Sequence, residues 1–123
     1  MNKKSTECWV SDPQAKAIRI EPVGGHSLVL PYIHFVYAEL SGSGAEQTLK
    51  LVFSTHEVVL RGRGLRRLEA ALHRMELASV TALNERFRAA VPEGQPFISE
   101  ISVTVVGEKG NEDLAEDDDS NPV

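Results

Sequence analysis

The chain has 123 residues, of which 41% are hydrophobic, and these values fit one domain with a single core. Its N-terminal region contains neither an apolar run long enough to span a membrane nor the apolar segment of a signal peptide, so we expect a soluble, cytoplasmic protein without a membrane span. The lone cysteine, Cys8, excludes an internal disulfide framework and a multi-cysteine zinc site within one chain, and it fits a reducing compartment.

The formal net charge of -5 is distributed unevenly along the chain. Residues 1–107 carry twelve Lys and Arg against eleven Asp and Glu, whereas residues 108–123 carry one against seven. A segment that is so acidic and so poor in apolar residues cannot bury enough surface to offset its ordering entropy. We therefore predict a single globular domain over residues 15–107 and a disordered acidic tail over residues 108–123.

The N-terminal part of the sequence predicts a flexible arm followed by a first strand. Residues 1–14 are polar apart from Trp9 and Val10, and the sequence leaves open whether Trp9 folds back onto the body. In the stretch AKAIRIEP, which starts at residue 15, isoleucines alternate with charged residues, and this pattern is typical of a strand with one solvated face. Pro22 and a pair of glycines then end the strand.

The next segment, HSLVLPYIHFVYAEL, is rich in β-branched and aromatic residues and predicts a strand. Pro31 cannot donate a ladder hydrogen bond, so we expect the strand to bend or bulge there or to lie at a sheet edge. Apolar side chains occupy both faces of the segment, so each face must pack against another part of the protein. We expect the domain's own helix to pack on one face and a second subunit or the N-terminal arm to pack on the other. This pattern favours a homodimer that packs sheet on sheet.

A flexible SGSG loop at residues 41–44 precedes two further strand segments, QTLKLVFS and VVLRG. We interpret them as a hairpin with Thr55, His56 and Glu57 near its turn. One longer, bent strand through these residues is the alternative, because no Gly or Asn marks a two-residue turn.

From Leu65 the composition becomes rich in Leu, Ala, Glu and Arg, and residues 65–90 predict helix. Apolar residues recur with helical spacing on both sides of a break, where five positions separate Met75 from Val80. This break predicts either one curved helix or two helices with a joint near Ser79.

Pro92 and Gly94 end the helical region, and the alternation in PFISEISVTVV predicts a final strand. The predicted element order is therefore β-β-β-β-α-β. The fold class is α+β, with about five mostly antiparallel strands covered on one face by one helical layer and flanked by the loose arm and the acidic tail.

The string VVLRGRGLRRLEAAL combines a strand, a glycine loop and a helix start, which is the local geometry of phosphate-binding turns. Both nucleotide-binding motifs are incomplete, because a dinucleotide fingerprint needs glycine where Arg67 stands and a P-loop needs Gly-Lys-Ser/Thr before the helix. Gly62 and Gly64 are therefore explained as turn residues of the loop.

Arginines give the same segment a positive charge. Arg66 and Arg67 fall in the first helical turn, where the helix dipole disfavours cations, so helix stability does not account for them. Residues 61–74 carry a net charge of +4, and such a patch can contact phosphates, anionic lipid head groups or an acidic protein segment. An exposed, solvated helix face is the alternative explanation. We predict an anion-binding or partner-binding site formed by Arg61, Arg63, Arg66, Arg67 and Arg74.

The acidic tail suggests a competitor for this patch. A tethered polyanion at millimolar effective concentration would mask the arginines or reach those of a neighbouring subunit. The alternative is a tail that only increases solubility.

Four histidines raise the question of metal binding or catalysis. Their spacing contains neither HxxxH nor HExxH, so we expect no metal site and no cofactor. His34 lies on an apolar strand face and is expected to be a hydrogen-bonded core residue. No GxSxG motif surrounds a serine, and paired carboxylates occur only in the tail, so we assign no catalytic residue.

These features favour a small, non-enzymatic interaction module that self-associates as a homodimer and presents the arginine-rich loop to an acidic protein partner. The first alternative is a nucleic-acid or other polyanion binder whose tail modulates affinity, although the aromatic motifs of RNA-binding modules are missing. The second alternative is a small enzyme that uses His34 or His56 together with residues of another subunit.

Overall fold

The computed structural model describes residues 7–44 and 46–106. In this part of the chain, eight strands form two four-stranded sheets, and an α-helix lies between the sixth and seventh strands in sequence. The fold is therefore α+β, as predicted, but it has more strands than the five expected, and they form two sheets instead of one. The predicted acidic tail, residues 108–123, lies outside the described residues.

The strands occur in two groups that alternate along the chain. Their bounds are β1 Trp9–Ser11, β2 Ala17–Glu21, β3 Leu28–Pro31, β4 Phe35–Ser43, β5 Glu46–Phe53, β6 His56–Arg63, β7 Leu77–Thr81 and β8 Phe97–Val105. The helix α1 spans Arg66–His73, and 3₁₀ helices span Tyr32–His34 and Glu85–Ala90. Sheet A has the strand order β1-β7-β2-β3 and sheet B the order β4-β5-β6-β8, so β4 and β8 are the edges of sheet B.

Sheet A is assembled from distant parts of the chain. Strand β7 pairs in parallel with β2, with Ile20 opposite Val80, and in antiparallel orientation with β1, with Trp9 opposite Val80. The alternation predicted for the first strand is confirmed, since Ile18 and Ile20 are both buried in β2. The expected loose arm is wrong for residues 9–11, because they form a sheet strand; residues 1–6 lie outside the described range.

The apolar segment around Pro31 divides into two strands that belong to different sheets. Strand β3 ends at Pro31, a 3₁₀ turn redirects the chain, and β4 begins at Phe35 with a bulge before Tyr37. Leu30 of β3 and Phe35 and Ala38 of β4 belong to the core or pack against it. The second apolar face stays exposed within the described residues, at Val29, Ile33, Val36 and Tyr37. His34 lies in the turn and is exposed, so the predicted core position of this histidine is wrong.

Strands β5 and β6 form the predicted hairpin, with Leu49 opposite Leu60, and Ser54 and Thr55 connect them. One bent strand through this region is therefore excluded, and His56 is the first residue of β6. Strand β8 pairs with the other edge of β6 and confirms the predicted final strand.

The α-helix is much shorter than the sequence predicted. It has eight residues, and β7 and a 3₁₀ helix occupy the rest of residues 65–90, so both the one-helix and the two-helix predictions are wrong. Met75, with a φ of 57°, takes the left-handed conformation that ends the helix. Its N–H donates to Leu72 O at 2.9 Å, and the N–H of Glu76 donates to Ala71 O at 2.8 Å, which are the two hydrogen bonds of a Schellman motif.

One buried cluster joins both sheets and the helix. The described residues include no buried polar or charged side chain, so burial of apolar surface is the main stabilising contribution of this core. The largest fully buried side chains are Phe53, Phe97, Ile18, Ile20, Leu49, Leu51, Leu60, Leu65, Leu68, Leu77, Ile98 and Val58.

The glycines of the loop have different structural roles. Gly62 belongs to β6, next to an irregularity in its pairing with β8, and a Cβ atom added there would overlap the backbone carbonyl of Phe97. Gly64 is the turn residue before α1, with a φ of 66° that favours glycine. Gly62 is therefore required by the close approach of two strands and not by a turn.

We expect Gly62→Ala to lower the free energy of unfolding by about 3 kcal/mol, because the backbone of β8 must shift to accommodate the methyl group. The matched control is Gly44→Ala, at an exposed left-handed position with open space around it, for which we expect a loss of about 1 kcal/mol. Urea denaturation measures both values. Equal losses in the two variants would contradict the close-approach argument.

Candidate functional site

The five arginines predicted as one site lie on three different parts of the surface. Arg61 projects from the outer face of sheet B, where its Nε is 3.6 Å from Glu100 Oε1 on β8 and its Nη1 donates to Thr48 Oγ1 on β5 at 3.5 Å. Lys50 and Glu39 form a second cross-strand ion pair on this face, at 3.8 Å. Two cross-strand ion pairs thus lie on the outer face of sheet B, and the charge of Arg61 is balanced within it.

Arg63 faces the loop that precedes β8. Its Nη2 donates to Val91 O at 3.0 Å, and its guanidinium lies 6.0 Å from the centre of the buried Phe97 ring. The guanidinium of Arg88 lies 4.9 Å from the same ring. Within the described residues, Nε of Arg63 is buried without a hydrogen-bond partner. Arg63 therefore anchors the loop and is not available to a ligand.

Arg67 joins the same loop to the N-terminal strand. Its Nη1 donates to Gly94 O and to Gln95 Oε1, both at 3.4 Å, and its guanidinium lies 5.8 Å from the ring centre of Trp9. Such cation–π contacts contribute about 0.5–1 kcal/mol at exposed sites. Trp9 therefore does fold back onto the body, which answers the question that the sequence left open.

Arg66 and Arg74 are the two members of the set that remain on the outer surface of α1. Their side chains are 78% and 56% exposed, and each forms one surface ion pair, with Glu69 at 3.5 Å and with Glu76 at 3.2 Å. Exposed ion pairs of this kind contribute about 0–1 kcal/mol, so an incoming carboxylate can replace them. Arg61 and Arg67 are exposed as well, but Arg66 and Arg74 are the two exposed arginines of the set that line a depression along the helix.

A groove runs between α1 and the edge strand β4. One shallow depression lies along the helix and a second lies between the helix and β4, and they share the side chains of Glu69 and His73. We call the combined surface the α1–β4 groove. Its apolar floor, beside β4, comes from Phe35, Ala38 and Leu72. Glu69 and His73 line both depressions, whereas Arg66, Ala70 and Arg74 line only the depression along the helix.

The direction of the groove follows from two contacts. The N–H of Leu65, at the start of α1, donates to Gln47 Oε1 at 2.8 Å, and Gln47 lies opposite Gly42 near the end of β4. His73, at the other end of the helix, lines the depression that also contains Phe35, the first residue of β4. Helix and strand therefore run in opposite directions, with Arg74 near the start of β4 and Arg66 near its end.

Strand β4 brings an unpaired sheet edge to this groove. It has nine residues and pairs with β5 along one side, and in the described part of the chain no strand pairs with its other side. Natural edge strands are protected by Pro, charged side chains or bulges; FVYAELSGS has no Pro or Lys, and its protection is limited to Glu39 and the bulge before Tyr37. The edge thus presents free backbone N–H and C=O groups beside the apolar floor of the groove.

Groups with catalytic potential do not gather at the groove. Among the described residues, no three His, Cys, Asp or Glu side chains are placed to hold a metal ion. Nδ1 of His56 lies 2.8 Å from Thr55 Oγ1 in the hairpin. Cys8 is buried and donates its S–H to Pro96 O at 3.3 Å, and burial raises the pKa of the thiol to about 11. At neutral pH this thiol is protonated and therefore a poor nucleophile.

Comparison of the chain with family models, with curated proteins and with solved structures gives no match. None of the helices in residues 7–44 and 46–106 has the length and hydrophobicity of a membrane-spanning segment. The functional argument therefore depends on the groove itself.

Sequence reasoning identified only the charged part of the groove. Arg66 and Arg74 belong to the predicted set, whereas Phe35, Ala38 and Leu72 were interpreted only as strand or helix residues. The absence of Pro and Lys from β4 was a usable signal, but it acquires meaning only when the strand is known to be an edge.

Alanine substitutions separate the anchoring arginines from the exposed ones. We expect Arg63→Ala to lower the free energy of unfolding by about 2 kcal/mol, because a charge-assisted hydrogen bond and packing on Phe97 are lost. For Arg66→Ala we expect a change within about 0.5 kcal/mol, since its ion pair is exposed. Chemical denaturation checks both, and a small effect in both variants would show that Arg63 does not anchor the loop.

Proposed function

We propose that the chain is a non-enzymatic interaction module that binds an extended, acidic segment of a partner protein in the α1–β4 groove. The observation that carries this proposal is the unpaired nine-residue edge of β4 beside an apolar floor and two exposed arginines. A sheet edge next to a helix is a common geometry for peptide binding by strand addition.

Strand addition divides the interaction into two contributions. The backbone of the partner segment pairs with the free N–H and C=O groups of β4 and supplies affinity without sequence preference. Side chains on one face of the added strand, at every second residue, point to the groove. There, apolar side chains contact Phe35, Ala38 and Leu72, and acidic ones approach Arg66 and Arg74.

The arrangement of charge supports a short acidic segment over a long polyanion. Arg61 is paired within sheet B, and Arg63 and Arg67 hold the loop before β8. Nucleic-acid binding requires many phosphate contacts on one continuous surface, and the separation of the arginines does not favour it. The two arginines of the groove instead provide selection for carboxylates and faster association.

Binding of a fluorescein-labelled peptide with alternating β-branched and acidic residues, followed by anisotropy at low salt, tests the charged part of the site. We expect the double variant Arg66→Gln, Arg74→Gln to weaken binding about ten-fold, which corresponds to about 1.4 kcal/mol. The matched control is Arg19→Gln, Arg86→Gln, which changes the net charge equally at two exposed arginines that do not line the groove. Equal losses in the two double variants, or tighter binding of single-stranded RNA than of peptide, would contradict the proposal.

The strand-addition mode has a separate readout in amide hydrogen exchange. On peptide binding, amides that face the free edge of β4 should exchange more slowly, and they should alternate along Phe35–Ser43. The edge strand β8 serves as the internal control, because it should not change. Protection confined to α1 would indicate docking on the helix without strand addition.

We also propose that the chain self-associates, through apolar side chains around the turn between β3 and β4. Val29, Ile33 and Val36 are 51%, 85% and 60% exposed, and exposed apolar groups in one short stretch are typical of protein interfaces. The ion pairs Glu39–Lys50 and Arg61–Glu100 make the outer face of sheet B a less suitable interface.

Light scattering at micromolar concentration checks the self-association. We expect a dimer mass for the wild-type chain and a monomer mass for Ile33→Glu, because the substitution places a charge in the buried apolar interface. Val23→Glu, at another exposed apolar position outside this stretch, is the control and should remain dimeric. A monomeric wild-type chain would contradict this part of the proposal.

A further inference from the structure

We infer that the α1–β4 groove of the free protein is occupied by the C-terminal segment of the same chain, residues 107–123, which a partner segment must displace. This inference rests on the proposed function of the groove. The segment lies outside the described residues, so the argument uses its sequence, its length and the point at which it leaves the fold.

The segment leaves the fold at the end of sheet B that carries the start of the groove. The N–H of Val106 donates to Thr55 O at 3.0 Å, in the turn between β5 and β6. At this end of the sheet, Phe35 lies opposite Phe53 and His56 lies opposite Val105. Strands β8 and β4 are three strand spacings apart, or roughly 14 Å, so the exit point and the groove are close.

The segment is long enough to reach the groove. Leu114 is eight residues beyond Val106, and an extended chain of that length spans up to about 26 Å at about 3.3 Å per residue. The groove follows α1, which is eight residues or about 12 Å long. Leu114 can therefore reach the apolar floor, and the residues after it can reach the far end of the helix.

The residue types in the segment complement those of the groove. A chain that enters beside Phe35 contacts the apolar floor at once, and Arg66 and Arg74 lie in the adjoining depression along the helix. The segment contains an acidic pair, then Leu114 and Ala115, and then the acidic run EDDD at residues 116–119. Leu114 and Ala115 can thus contact the floor while acidic residues on either side approach the arginines.

The same sequence makes the segment a weak occupant. Asp, Asn, Gly and Glu are depleted in strands, so the segment is poorly suited to extend sheet B along the free edge of β4. Its attachment compensates in part, since a short tether produces an effective concentration in the millimolar range. A partner segment rich in β-branched residues forms the backbone ladder that the tail cannot form, and it therefore displaces the tail.

The test uses the full chain with the three substitutions Asp117→Asn, Asp118→Asn and Asp119→Asn, titrated with the labelled β-branched, acidic peptide. At low salt we expect the peptide to bind this variant about five-fold more tightly than the wild-type chain, and we expect the difference to disappear at high salt. The matched control, Asp12→Asn, Glu57→Gln, Glu93→Gln, raises the net charge equally at positions outside the groove lining and should leave the affinity within two-fold of wild type, or about 0.4 kcal/mol.

A second measurement does not depend on the peptide. Amide chemical shifts of α1 in the free wild-type chain and in the tail variant should differ near Arg66 and His73, and the difference should not depend on protein concentration. Both proteins carry Ile33→Glu so that they are compared as monomers, and differences that grow with concentration would then place the tail on a second copy and overturn the inference.

The two measurements separate the inference from the proposed function. Equal peptide affinity with unchanged α1 shifts would overturn occupation by the tail and leave the proposed function in place. Peptide binding to neither protein would overturn the proposed function, and the shifts alone would then decide whether the tail contacts α1.

Discussion

The turn at Tyr32–His34 transfers the chain from sheet A to sheet B. Pro31 cannot donate a ladder hydrogen bond, and the buried Tyr32 hydroxyl donates to Leu77 O at 2.7 Å, which ties the turn to sheet A. Burial raises the pKa of Tyr32 to about 12, so the hydroxyl remains a donor at physiological pH. The chain then starts sheet B at Phe35, and within residues 7–44 and 46–106 β4 pairs with β5 only.

The arginines that are adjacent in sequence have separate roles in the structure. Alternation along β6 places Arg61 on the outer face of sheet B, and Arg63 and Arg67 connect the body to the loop before β8. Helical periodicity leaves Arg66 on the solvent side of α1. Arginines that are close in sequence thus lie on separate surfaces, and folding supplies each of them with a hydrogen-bond or ion-pair partner.

The groove combines three features that are each common on protein surfaces. Its apolar floor lies where Leu72 and Phe35 reach the edge of the core. Its cations form weak surface ion pairs, and its free backbone groups belong to an edge strand. Each part alone would support weak binding. We propose an extended acidic segment as the occupant because it could contact all three, and residues 107–123 of the chain have this composition.

The sequence by itself determined the elements in which apolar residues alternate with polar ones because one face is buried. These elements include β2, with Ile18 and Ile20, and the hairpin of β5 and β6. It also located the exposed arginines of α1. Only the tertiary structure decided the end of the helix at Met75, the parallel pairing of Ile20 with Val80 and the free edge of β4. These features depend on hydrogen bonds and packing between residues that are distant in the chain, or on a conformation that methionine rarely adopts, and no local pattern encodes them.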